Sequence, residues 1–209
     1  MKWDLFISNR SNIIIKNFIN DNEMNGIYFY QSNYGNRIEN NYILTNKLDG
    51  IYFESSNNGN KILCNLIEYN QEYGVNIEED NKDNVITGND IISNNIGMYL
   101  GATSTDNRIQ YNNFINGKDK NAYDDDSNYF NYNYWSDWDG NSPTYNKNGV
   151  IDDKPSLYEF YRCSIATKKP NYEYKPVKMP YKKYNRRYHT CQKELECKKD
   201  FEDKCHDIE

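Results

Sequence analysis

The sequence predicts an all-β protein: a right-handed parallel β-helix of about five to six coils with a C-terminal cap and an irregular basic tail. Three observations carry this expectation. Asn12, Asn36, Asn60, Asn84 and Asn107 recur at intervals of 24, 24, 24 and 23 residues. Around them an isoleucine column (Ile14, Ile38, Ile62, Ile86, Ile109) and a second asparagine column (Asn17, Asn41, Asn65, Asn89, Asn112) keep the same step. A fourth column follows in Ile19, Ile43, Ile67, Ile91 and Phe114, and then the blocks GIYF, GIYF, GVNI and GMYL. A fixed period in the twenties marks a solenoid, in which each repeat buries its apolar face only against its neighbours.

Within each repeat, apolar and polar residues alternate over short runs, as in Ile27–Phe29 and Ile51–Phe53. That alternation describes strands with one buried face. Three such runs per 24 residues, separated by Asn, Gly and Ser, make one coil. Coils stack at about the 4.8 Å of neighbouring strands, so each isoleucine lies over its counterpart. Burying each of these side chains contributes about 1.5–3 kcal/mol. Asn and Gly suit the turns because they tolerate positive φ. A stacked asparagine can also hydrogen-bond the turn backbone and the amide above it. The asparagine columns are therefore read as structural.

Composition alone points elsewhere. A mean hydropathy of −1.05 with 27% charged residues would suit a disordered chain. The 15% aromatic content, with 21 tyrosines, and the strict columns oppose that reading. No apolar run approaches the roughly 18 residues of a membrane span. The opening MKWDLFISNR lacks the apolar segment of a signal peptide. Residues 2–12 align onto residues 26–36, so the first residues fall in the middle of a coil. The expectation is a piece of a longer solenoid with its cap and any export signal upstream; the alternative is a partner chain covering the open N-terminal end.

Charge and cysteine content change along the chain. Residues 1–153 carry 11 Lys and Arg against 22 Asp and Glu, whereas the remainder is basic and holds four of the five cysteines. The expected organisation is β-helix coils over 1–134, a cap over 135–156 and a basic Tyr/Lys/Cys tail over 157–209. Asn128, Phe130, Asn133 and Trp135 continue the pattern as a sixth, partial coil.

The repeat, as in NRIENNYILTNKLDGIYFESSNNGN (36–60), and the closing segment NYFNYNYWSDWDGNSPTYNKNGVIDDKPS (128–156) resemble the right-handed β-helix repeat family. That family includes the NosD-type periplasmic proteins and many bacterial and archaeal surface proteins. The resemblance covers residues 2–156. It implies a protein exported to the periplasm, the cell surface or the exterior, in a group linked to carbohydrate binding and sugar hydrolysis. The family's copper association transfers poorly, because soft copper sites need Met, Cys or His clusters. The repeats offer only scattered Met24, Cys64 and Met98, and both histidines, His189 and His206, lie in the tail.

Several groups of residues are candidates for chemistry. If Ile27 and Phe29 point inward, then Tyr28, Tyr52, Asn76, Tyr99 and Asp124 form an outward column, and Tyr30, Glu54, Glu78, Gly101 and Asp126 form another. Tyrosine rings with polar edges suit a polysaccharide or surface glycan, so Tyr28, Tyr52, Asn76 and Tyr99 are the expected ligand-binding residues. The bland alternative is that outer strand faces favour tyrosine and that the glutamates are solvated. Glu54 and Glu78, one strand spacing apart, are near the ~5–5.5 Å separation of retaining glycosidases. A catalytic reading would use Glu54, Glu78, Asp124 and Asp126 in a polysaccharide lyase or hydrolase. The hydrolases of this fold pair clustered aspartates with a histidine, and no histidine precedes residue 189.

NKNGVID (146–152) resembles a weakened calcium loop, with Asn146, Asn148 and Asp152 as oxygen ligands and Gly149 at the sharp turn. Calcium is the one cofactor this suggests, and an ordinary Asn/Gly turn is the alternative. In the tail, PNYEYKPVKMPYKKYNRRYH (170–189) mixes tyrosine with basic residues. Its plainer accounts are attraction to the acidic repeats or simple disorder, rather than nucleic-acid binding. His189, Cys191, Cys197, Cys205 and His206 match no common zinc spacing. Disulfides among Cys163, Cys191, Cys197 and Cys205, or free thiols, remain open, and Cys64 would be the odd thiol. The leading expectation is a non-catalytic surface or secreted module that binds glycan or mediates adhesion. The alternatives are a carbohydrate-active enzyme and a structural spacer or truncated remnant.

Overall fold

The computed structural model describes residues 5–157 and 159–160. Expectations for the cysteines and histidines beyond residue 160 and for the segment 170–189 lie outside these residues. The described chain winds into a parallel β-solenoid of six coils with three sheets. The first sheet runs Leu5–Ile7, Ile27–Gln31, Ile51–Ser55, Tyr73–Glu79, Ile96–Leu100 and Lys120–Asp124. The second runs Ile13–Ile15, Arg37–Glu39, Lys61–Leu63, Val85–Thr87, Arg108–Gln110 and Tyr129–Asn131. The third runs Phe18–Asn20, Tyr42–Leu44, Leu66–Glu68, Asp90–Ile92, Asn113–Ile115 and Tyr134–Trp135.

The register carries each column straight up the stack. Ile14 lies beside Ile38, and Ile38 beside Ile62. Ile19, Ile43, Ile67, Ile91, Phe114 and Trp135 form the third-sheet column. These side chains, with Phe29, Phe53 and Ile77 from the first sheet, are buried in one continuous core. The close stacking also explains the repeated glycine. A Cβ on Gly50 would lie 2.6 Å from the carbonyl oxygen of Gly74, so no side chain fits where the chain enters the first sheet.

Four asparagine columns line the turns. Asn65 is representative: its Oδ1 accepts both the backbone N–H of Asn41 (2.9 Å) and the Asn41 amide (3.0 Å). Its own Nδ2 donates to Asn89 Oδ1 in the next coil (3.0 Å) and to the Ile38 carbonyl of the coil behind (3.0 Å). The ladder asparagines do not themselves take the left-handed conformation. That falls on the residue before each one, such as Lys16, Asn40, Cys64, Tyr111 and Tyr132 in one column and Asp21, Thr45, Tyr69 and Ser93 in another. Holding a non-glycine residue there costs about 1–3 kcal/mol. The paired amide bonds, about 0.5–1.5 kcal/mol each, offset it.

The column that begins at Asn17 passes through Asn112 to Asn133 and ends on Asp152. Asp152 Oδ2 accepts the Asn133 backbone N–H (3.0 Å), the Asn133 amide (3.1 Å) and the Trp135 indole N–H (3.2 Å). Above the core, Trp135 stacks between Phe114 (4.4 Å) and Tyr145 (4.2 Å), both within 6° of parallel. Tyr145–Lys147 and Val150–Asp152 form an antiparallel hairpin that closes the second sheet. Its two-residue turn, Asn148 (φ 55°) and Gly149 (φ 80°), is the asparagine–glycine turn that matches strand twist.

Replacing Asn65 by alanine leaves buried donors and an acceptor without partners at two neighbouring coils. Urea denaturation is expected to show a loss of at least about 3 kcal/mol. Asn12→Ala, at the first rung, removes fewer bonds and should cost only about 1 kcal/mol.

Candidate functional site

The outward face of the first sheet carries the most organised chemistry. Its middle column runs Phe6, Tyr28, Tyr52, Asn76, Tyr99 and Tyr123 by strand register. The structure thus brings together Tyr28, Tyr52, Asn76 and Tyr99 as expected, but their next member is Tyr123, not Asp124. Asp124 pairs with Leu100 on the inward-facing column and is buried, with its pKa raised by burial. Its Oδ1 accepts the Asn128 amide at 2.7 Å. The expected neighbour of Gly101 shifts likewise, because Asp125 follows Asp124 and occupies that place. Asp126 lies one residue further on, where its carboxylate accepts the Thr103 backbone N–H. The shift arises because Asn121 stands where earlier coils have glycine, so the glycine landmark is missing from this coil.

Along this face three tyrosine hydroxyls reach an acid two residues further along the strand of the next coil. Tyr28 donates to Glu54, Tyr52 donates to Glu78 (2.7 Å) and Tyr99 donates to Asp125 (2.9 Å). Burial and the Glu78 carboxylate push the Tyr52 phenol well above its usual range. Burial and Asp125 push Tyr99 up to about 12. These phenols therefore stay protonated and act as donors that fix the carboxylates. The rings also pack on one another: Tyr28 on Tyr52 at 5.1 Å and 11°, and Tyr99 on Tyr123 at 5.8 Å and 17°. One face of each of these rings is thus covered by another ring. The surface offers edges, hydroxyls and the remaining oxygen sites of partly exposed Glu54 and Glu78.

Asn76 interrupts the tyrosine column. It is buried, its amide donates to Asp49 Oδ2 at 3.0 Å, and its own Oδ1 is buried without a hydrogen-bond partner. Asp49 sits at the corner between Asn25, which accepts its N–H, and Tyr73, whose N–H it accepts at 3.0 Å. Burial raises the Asp49 pKa from 3.8 to about 6, with the hydrogen bonds from Asn76 and Tyr73 opposing the shift. Nothing in the repeat pattern distinguished Asp49. The signal available in the sequence was an acid standing 24 residues after Asn25 in a corner column.

The expected calcium ligands do not converge. In the hairpin Asn146 pairs with Ile151, both exposed, whereas Tyr145 pairs with Asp152, both buried. Asn146 and Asp152 therefore point to opposite faces, and the Asp152 oxygens are engaged by Asn133, Trp135 and the Lys154 backbone. The motif forms a strand turn because its acid is the terminal acceptor of an asparagine column.

A six-coil parallel β-solenoid with a regular polar outer face is the architecture of the β-helix repeat proteins. The chain belongs to the family described as Periplasmic copper-binding protein (NosD), which matches residues 5–152. No curated protein and no solved structure matches the chain. The family is a periplasmic one, in agreement with an expected periplasmic or cell-surface location. No helix among the described residues is long and apolar enough to cross a membrane.

Copper binding fits the described residues poorly. Copper favours convergent thiolate, thioether or imidazole donors. Cys64 is buried in a turn, Met98 lies in the core and Met24 is exposed elsewhere. No group of three or more His, Cys, Asp or Glu side chains suited to a metal occurs among the described residues.

Because the pKa of Asp49 is raised on folding, its contribution to stability is complete below about pH 4. It is lost as pH rises through about 6. Asp49→Asn should stabilise the protein at pH 7.5 by about 2–3 kcal/mol and leave it nearly unchanged at pH 4. Thermal melts of both proteins across this range measure the difference.

Proposed function

We propose that the chain is a non-catalytic periplasmic or cell-surface β-helix module that binds a glycan along the first sheet, at Tyr28, Tyr52, Asn76 and Tyr99. The observation that carries this reading is the repeated bond from a tyrosine hydroxyl to a carboxylate of the next coil. Each such carboxylate keeps acceptor capacity, since an ionised carboxyl has about four lone-pair sites. An extended, hydroxyl-rich polymer laid along the solenoid axis meets comparable acceptors at Glu54 and Glu78, on adjacent coils about 4.8 Å apart, and again at Asp125 two coils beyond Glu78. Ring edges flank these acceptors and exclude water from part of each contact. Binding is mainly by edges and hydroxyls, because each tyrosine has one ring face stacked on its neighbour.

Glu54 and Glu78 are read as binding residues rather than an acid and nucleophile pair. Each is tied to a phenol, and Asp124 is turned into the core.

A glycan-array screen of the purified protein, run with and without calcium, tests the proposal. Wild type should bind a polysaccharide, and Glu78→Gln should weaken binding about tenfold. Tyr52→Phe, which removes the hydroxyl but keeps the ring, should weaken it less. Release of new reducing ends or unsaturated products from the bound glycan would overturn the non-catalytic reading. Absence of binding by folded protein would overturn glycan recognition altogether.

A further inference from the structure

The outward face of the second sheet holds a separate feature. An open cavity of about 390 Å³ is lined by Asp83, Asp106, Arg108, Gln110, Tyr129 and Asn131. Arg108 and Gln110 lie on one strand, directly beside Tyr129 and Asn131 on the next. Asp83 and Asp106 occupy the turns just before their strands, both in the left-handed conformation (φ 56° and 62°). That equivalence places two carboxylates one coil apart on the same rim.

The lining departs from the repeat. The positions equivalent to Asp83 and Asp106 in earlier coils are Ser11, Gly35 and Gly59, residues with little or no side chain. The positions equivalent to Tyr129 are Ile13, Arg37, Lys61, Val85 and Arg108. Neither the carboxylates nor the phenol ring is required for the coil to form. The Tyr129 hydroxyl donates to Asp106 Oδ1 at 3.3 Å, which sets the half-exposed ring as one wall.

Chemistry narrows the ligand. Every lining residue ends in a carboxylate, carboxamide, guanidinium or phenol, and none is aliphatic. An apolar ligand would strip water from these groups without replacing its hydrogen bonds. Two carboxylates against one guanidinium disfavour an anion. Planar groups that donate and accept in pairs, beside an aromatic wall, match the vicinal hydroxyls and C–H faces of a neutral sugar ring. We infer that this cavity is a binding subsite for one or two units of a neutral saccharide, separate from the tyrosine–carboxylate column of the first sheet.

Amide chemical-shift mapping of the full chain tests this with three neutral disaccharides (maltose, cellobiose and N,N′-diacetylchitobiose) and with digalacturonate as the anionic control. At millimolar sugar, at least one neutral disaccharide should shift the amides of residues 106–110 and 129–131. Digalacturonate should leave them unmoved. Asp106→Asn keeps a residue that tolerates the left-handed turn and should weaken binding at least about tenfold, as should Tyr129→Ala. Glu78→Gln, on the other sheet, should leave this binding unchanged, which separates the subsite from the proposed function. Perturbation confined to the first sheet, preference for digalacturonate, or no perturbation by any neutral sugar would each overturn the inference. Circular dichroism of Asp106→Asn confirms that a loss of binding is not a loss of fold.

Discussion

Everything in this molecule follows from the need to satisfy a buried turn at the spacing of hydrogen-bonded strands. Coils about 4.8 Å apart bring like residues over like residues. A carboxamide is the side chain that can accept from the coil on one side while donating to the other. At Asn65 four such bonds meet on one side chain, and its backbone N–H donates a fifth to Asn89 Oδ1. With the amide fixed, the preceding residue is forced into the left-handed region, even where it is Tyr69 or Thr45. The isoleucine columns then fill the space the turns enclose.

A ladder with a direction must end on a group that accepts from its last rung. Asp152 does this for the column that begins at Asn17, and Ser104 receives the N–H of Asn81 in another. The cap is therefore built by hydrogen-bond bookkeeping as much as by the stacked rings of Phe114, Trp135 and Tyr145. Asp49 shows the contrasting case. It stands within a short corner column and is buried as an acid where a neutral amide would carry no ionisation penalty.

The family and the donor set speak to different levels. Membership places the chain among periplasmic β-helix proteins, and the described residues do not offer the convergent soft donors that copper favours. What the surface does offer is paired tyrosine hydroxyls and carboxylates, on one face as a column interrupted at Asn76 and on another as a departure from the repeat. Recurrence suits a polymer under the proposed reading, because the same contact returns along the stack. The irregular cavity suits a ligand of fixed size.

The architecture and the core were legible because period and alternation are linear properties: Ile14, Ile38 and Ile62 had to coincide once the coil length was known. The outward column from Tyr28 to Tyr99 was legible for the same reason. The last coil was not. With Asn121 in place of glycine, the pattern alone did not mark which residue opens the strand, and a slip of one residue exchanges the two faces. Asp124 consequently belongs to the core and Tyr123 to the surface. The sequence by itself determined the solenoid, its coil count and its core, because these depend on spacing along the chain. Only the tertiary structure decided that the tyrosine rings stack on one another, that Asp152 is a ladder terminus, and that Asp83, Arg108 and Tyr129 share a cavity. Those relations depend on side-chain direction between coils, which no linear spacing encodes.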